Sequence, residues 1–242
     1  MNKTADTFDM TMKAYCKTKR GSEEEKLSRE KVFECAAREN TAEIWHRTFS
    51  ITKPGSEERE LCRTQMKECA EREGKALSWW HVYKTGEGRK KQQCQEKMCA
   101  CAEQEDTTNA WTIAYFNTKK TDEKRKTYYE NALACAEKEN TAKAWGYVSN
   151  ILINKRSQQL RQTKKILERH EEEGAIEEWI EAYHATKEIN DKIKLCRTNA
   201  IACAEKEDTG EAWKYAYWTT EKGSCEQSKC IQKMEQFSFS FL

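Results

Sequence analysis

The chain has almost nothing that breaks a helix: one proline, Pro54, and nine glycines in 242 residues. Long helices are favoured on that ground and disorder is not. Long apolar runs are missing too, and none approaches the roughly 18 residues of a membrane span. The first ten residues hold no apolar stretch of signal-peptide length, so a soluble cytoplasmic protein with no membrane partner is expected. Excess charge of one sign is also lacking, because 43 basic and 41 acidic side chains leave a net charge of +2. The field of the whole molecule therefore gives no reason to expect nucleic acid, and any basic function must be local. There is no phosphate-cradling glycine loop, no nucleophile elbow and no metalloprotease helix, and the four histidines fall in no motif with carboxylates. The chain is therefore expected not to be an enzyme.

What the chain does have is a period. Cys135-Ala136-Glu137-Lys138-Glu139-Asn140-Thr141-Ala142-Lys143-Ala144-Trp145 recurs as Cys35 to Trp45, Cys69 to Trp79, Cys101 to Trp111 and Cys203 to Trp213, and in altered form as Arg169 to Trp179. The tryptophans at 45, 79, 111, 145, 179 and 213 are spaced by 34 residues, with one step of 32. A fixed period of this size is the signature of stacked supersecondary units, each unable to bury its apolar face alone. Seven units result: 6–39, 40–73, 74–105, 106–139, 140–173, 174–207 and 208–242. Together they make one repeat domain over residues 1–242. Eight tryptophans, nine tyrosines and seven phenylalanines placed in register supply a core despite a mean hydropathy of -1.03.

Each unit opens on Asp6, Asn40, Gly74, Asp106, Asn140, Gly174 or Asp208, residue types that end one helix in a left-handed conformation or cap the next. From the tryptophan, a small residue follows at three positions on, as in Ala114 and Ala216, an aromatic at four, as in Tyr115 and Tyr217, and in most units a threonine at seven. Those spacings trace one buried helical stripe. A polar turn then follows in every unit: Arg20-Gly21-Ser22, Pro54-Gly55-Ser56, Gly86-Glu87-Gly88, Thr121-Asp122, Asn154-Lys155, Asn190-Asp191 and Gly223-Ser224. A second helix of about 16 residues, with mostly small apolar side chains, completes a hairpin. Unit 140–173 is irregular, since Ile151-Leu152-Ile153 and Arg169-His170 replace its usual residues. At the carboxyl end Phe237 takes the place of the motif cysteine and is expected to cover the end of the stack.

Twelve cysteines follow the repeat and not a disulfide framework. Cys62, Cys94 and Cys196 each precede a motif cysteine by seven residues, roughly 10 Å along one helix and too far for a bridge. They read as small core residues, with disulfides between neighbouring helices as the alternative. Cys94, Cys99 and Cys101, with His81 nearby, lack the paired spacing of a zinc knuckle, so no metal and no cofactor is expected.

The 34-residue helical hairpin, the early tryptophan, the small residue three on and the alanines Ala100, Ala134 and Ala202 resemble the tetratricopeptide repeat, over all but the first five residues. An aromatic stands where that family has a glycine, and a glutamate where it has a proline. The Ala-Cys pairs also look like those of the Sel1-like relatives, although Ala110, Ala144 and Ala212 stand where those relatives carry the partner cysteine. The resemblance implies an all-α, right-handed solenoid of about seven antiparallel hairpins. It implies a scaffold or adaptor that holds a peptide or helix of a protein partner in a concave groove. Positions one and five after the tryptophan would face that groove: His46, Trp80, Lys84, Phe116, Asn150, His184, Lys214 and Trp218 are its candidates, with Trp80, Phe116 and Trp218 the strongest.

A second set is basic. Lys90, Lys91, Lys119, Lys120, Lys124, Arg125, Lys126, Lys155 and Arg156 fall at or just after the expected turns of the middle units, where stacking would gather them into a ridge. Such a ridge suits an RNA backbone, as in the related pentatricopeptide class, and this is the alternative function.

Overall fold

The computed structural model describes the backbone of residues 3–86, 89–169 and 176–237, and the side chains of all of these except 3–7, 89–90, 159, 162–169 and 176–184. Among the described residues there are twelve helices and no strand. The chain divides into two compact units, Met1–Glu105 and Asp106–Leu242.

The first unit holds α1 (Lys3–Lys17), α2 (Glu23–Glu39), α3 (Ala42–Phe49), α4 (Glu57–Glu73), α5 (Ala76–Thr85) and α6 (Arg89–Glu105). They pair as α1 with α2, α3 with α4 and α5 with α6, and α5 also packs on α3 and α4. The second unit holds α7 (Thr108–Asn117), α8 (Lys124–Glu139), α9 (Ala142–Arg169), α10 (Ile176–Glu207), α11 (Gly210–Thr219) and α12 (Cys225–Gln236). Here α7 pairs with α8, α9 with α10 and α11 with α12, while α9 touches both α7 and α11.

Local chemistry sets the boundaries. Ser22, Ser56 and Ser224 cap second helices, each accepting the N–H three residues on, and Thr41, Thr107 and Thr209 do the same for first helices. Gly21, Gly55 and Gly223 supply the left-handed turn residue just before the serine caps, with φ of 81°, 76° and 80°. Between hairpins, Asn40, Asp106, Asn140 and Asp208 adopt φ of 42° to 47°. Their short polar side chains tolerate that region.

Two expected turns do not form. Asn154-Lys155 lies inside the 28-residue α9, and Asn190-Asp191 lies inside the 32-residue α10. Units 140–173 and 174–207 are thus merged into one long hairpin, and each compact unit contains three hairpins. The reason is local: Lys155 and Ile189 stand at the register of Gly21, Gly55 and Gly223, and Arg156 stands at the register of the serine caps. Neither a left-handed residue nor, at Arg156, a capping oxygen is available to stop the helix.

The repeated tryptophans are the core. Trp45, Trp79, Trp111, Trp145 and Trp213 are all buried, as are the alanines Ala36, Ala70, Ala102, Ala136 and Ala204 that follow the motif cysteines. Burying one indole removes about 200 Å² from water, roughly 5 kcal/mol of gross transfer free energy. Its N–H bond contributes about 1 kcal/mol, so packing dominates and the bond orients the ring.

That bond is specific. The indole N–H donates to the side-chain oxygen of the left-handed residue five positions earlier: Trp45 to Asn40 and Trp111 to Asp106, both at 3.0 Å, and Trp145 to Asn140 and Trp213 to Asp208, both at 3.4 Å. A thiol from the second helix of the hairpin that follows donates to three of the same residues, with Cys69 and Cys203 reaching Asn40 and Asn140 and Cys135 reaching Asp106. Cys69, Cys135 and Cys203 are therefore hydrogen-bond donors as well as core residues, and all twelve cysteines are free thiols.

Candidate functional site

In the first unit α3 and α5 bring His46, Trp80 and Lys84 together. The rings of His46 and Trp80 lie 6.1 Å apart, and the Lys84 ammonium sits 5.2 Å from the centre of the Trp80 ring. Trp80 is half-buried and Lys84 exposed. Beneath them lies a residue outside the candidate set, His81, whose ring is 4.7 Å from that of His46 and 5.1 Å from that of Trp80. His81 is buried, and neither ring nitrogen has a hydrogen-bond partner. Burial lowers its pKa to about 4, with a further contribution from His46, and His46 is itself lowered by burial and then by Lys84. The one sequence signal for His81 was its position next to Trp80, at the second residue after the buried tryptophan.

In the second unit the same registers fall on α7, α9 and α11. Phe116 is 39% exposed and meets Tyr115 edge-on at 5.3 Å, and Asn150 is exposed on α9. Trp218, at 51% exposed, is the most open of these aromatics, with the Lys214 ammonium 5.4 Å above it. Trp218 stands edge-on to Tyr215 at 5.0 Å, and Tyr215 does the same to Tyr147 at 5.7 Å. Tyr215 also packs on Gly146, where an added Cβ would meet its ring carbon at 3.4 Å, so the bare glycine lets α11 lie close to α9. His184 falls on α10, the second helix of the merged hairpin, and its side chain lies outside the described residues.

The basic set divides. Lys119, Lys120, Lys124 and Lys126 are exposed at the α7–α8 turn and the start of α8, and Lys91 is exposed near Tyr83. The side chain of Lys90 lies outside the described residues. Arg125, Lys155 and Arg156 depart from the expected ridge. Arg125 is buried with its guanidinium 4.2 Å over Tyr115, and its Nε has no hydrogen-bond partner. Lys155 and Arg156 occupy the middle of α9 because the turn expected there does not form. Lys155 is half-buried with its ammonium 3.7 Å over Tyr129.

Cys94 and Cys101 are buried in α6 and Cys99 is half-buried, while the ring of His81 packs on other aromatics. Phe237, at the end of α12, is 39% exposed, and the residues after it lie outside those described. No described helix is long and apolar enough to cross a membrane. No protein-family model matches the chain, and no curated protein matches its sequence.

Proposed function

We propose that the chain is a tetratricopeptide-like helical-repeat scaffold, stacked in a right-handed sense, and not an enzyme. Within each compact unit the first helices present a face that binds a peptide or helix of a protein partner. The observation that carries this reading is a contrast between registers. Trp45, Trp79, Trp111, Trp145 and Trp213 are buried, whereas at the positions one and five residues later Lys84, Phe116, Asn150, Lys214 and Trp218 are exposed, His46 and Trp80 are half-buried, and only Thr112 and Gly146 are buried. Surface-reaching aromatics, two of them, Trp80 and Trp218, with a lysine over the ring, have the chemistry of binding hot spots, large apolar area at low entropic cost. Twelve free thiols support a reducing, cytoplasmic location.

The test is capture of a partner from the native source by the immobilised chain, followed by affinity measurement with Trp80→Ala, Phe116→Ala and Trp218→Ala. A loss of at least tenfold with an unchanged melting temperature is expected. Undiminished affinity in all three would refute the face.

The exposed lysines of the α7–α8 turn support RNA-backbone binding as a second reading. It is weakened because Arg125 is buried and Lys155 half-buried, so neither joins an exposed ridge that a strand could follow. Affinity for single-stranded RNA that falls steeply with salt would favour it over the protein partner.

A further inference from the structure

In the second unit two cations approach one aromatic ring, and neither forms a salt bridge among the described residues. The guanidinium carbon of Arg125, from the first turn of α8, lies 4.2 Å from the centre of the Tyr115 ring. The ammonium of Lys155, from the middle of α9, lies 5.8 Å from the same centre and 3.7 Å from that of Tyr129. Arg125 is 9% exposed and its Nε–H, buried, finds no acceptor. The nearby carboxylates, Glu130 and Glu188, act on Lys155 only at a distance and pair directly with Lys126 at 3.9 Å and Lys192 at 2.7 Å. At the start of α8 the Asp122 carboxylate accepts the Lys124 N–H at 3.0 Å, so the helix N-terminus is already met by an anion and the imbalance rests on the two cations alone.

A guanidinium does not give up its proton, so Arg125 stays charged in this setting. Tyrosine faces offset only part of the cost of holding a cation out of water. A group with several acceptor oxygens and two negative charges would satisfy the orphaned Nε–H and balance both cations.

We propose that Arg125 and Lys155, with Tyr115 and Tyr129 as walls, form a binding site for a phosphate-class dianion in the second unit. The site exists only because units 140–173 and 174–207 are merged: a turn at Asn154-Lys155 would leave Lys155 on a loop, whereas α9 carries it onto Tyr129. It is independent of the partner-binding face. Its charged surroundings are Lys192 and Glu188 on α10 and Glu130 on α8. In their presence the pKa of Lys155 is lowered to about 8, chiefly by burial and then by Lys192 and Arg125.

The experiment is calorimetric titration of inorganic phosphate into the full chain at fixed ionic strength, with Lys155→Met, Arg125→Lys and Lys120→Met as comparisons. Saturable one-to-one uptake is expected, lost in Lys155→Met, weakened at least fivefold in Arg125→Lys and unchanged in Lys120→Met, which removes an exposed lysine near the same helix start. Phosphate should also raise the pKa of Lys155, read by NMR of the 13C-methylated lysines. Uptake that does not saturate, that survives Lys155→Met in a folded chain, or that equimolar chloride reproduces would overturn the site.

Discussion

The carboxylate of Glu207 accepts the backbone N–H of Ala142 at 2.8 Å, joining the end of α10 to the start of α9 across 65 residues of chain. Glu73 accepts from Ala42 and Glu139 from Thr108 across 31 residues, and Glu105 accepts from Ala76 across 29. The wider span exceeds the common one by 34 residues, one full period. Closure of the hairpin base is the same in each case, and the merged pair carries one extra period as an antiparallel extension.

Removal of one period should leave a folded chain. Deletion of residues 155–188 brings Glu207 to the spacing from Ala142 that Glu73 keeps from Ala42. We expect native-like helicity by circular dichroism and cooperative unfolding. A molten or aggregated product would show that the extension is needed for the second unit to fold.

Thiol reactivity should divide sharply. Cys16 and Cys225 are exposed and Cys99 is half-exposed, while the other nine cysteines are buried. Burial pushes the Cys62 thiol up to about 12 and Cys196 and Cys230 to about 11. The thiolate is the nucleophile, so native-state alkylation followed by mass mapping should label Cys16 and Cys225 quickly and Cys99 slowly. Rapid labelling of Cys62 or Cys196 without denaturant would contradict the packing.

Acid should weaken the first unit through His81. Its folded pKa, about 4, lies below the ordinary 6.5, so its contribution is fully present above about pH 6.5 and is lost as pH falls from there toward 4. The loss should reach about 2–3 kcal/mol at the bottom of that window. His81→Phe should flatten the urea-unfolding stability between those pH values. A wild-type slope retained in the variant would assign it to other groups.

Asp106 should confer a different acid dependence. The Trp111 indole N–H first, and the Cys135 thiol second, hold its carboxyl below the ordinary 3.8. Its contribution is therefore present above that value and is lost as pH falls through the lower folded pKa. Asp106→Asn keeps both acceptor contacts, as Asn40 and Asn140 do, and does not titrate. We expect the variant to equal the wild type at pH 7 and to exceed it below pH 4 in denaturant melts. Asp106→Ala should be weaker than both at every pH.

Much of this was legible in the residues. The tryptophan register and the left-handed Asn and Asp positions depend on contacts within about five residues, and local spacing reveals those; the N-caps fall one residue later than the unit-opening positions, on Thr41, Thr107 and Thr209, and in the turns on Ser22, Ser56 and Ser224. The polar knot was half visible: an Asn or Asp stands five residues before four of the buried tryptophans, yet its thiol donor comes from 29 or 63 residues later. The packing of His81 on His46 and of Lys155, half-buried, on Tyr129 was not legible, because each is defined by a neighbour on another helix.

By itself the sequence determined an all-helical chain, its period and the residues each helix buries, since hydrogen bonds four residues apart and capping oxygens act locally. The tertiary structure alone decided how the two fused periods pair as one hairpin. Without a left-handed glycine the helices run on through Asn154 and Asn190, but which stretches then lie against each other is not a local matter. The choice falls to α9 packing along α10 and to Glu207 reaching Ala142, contacts whose partners are far apart in the chain.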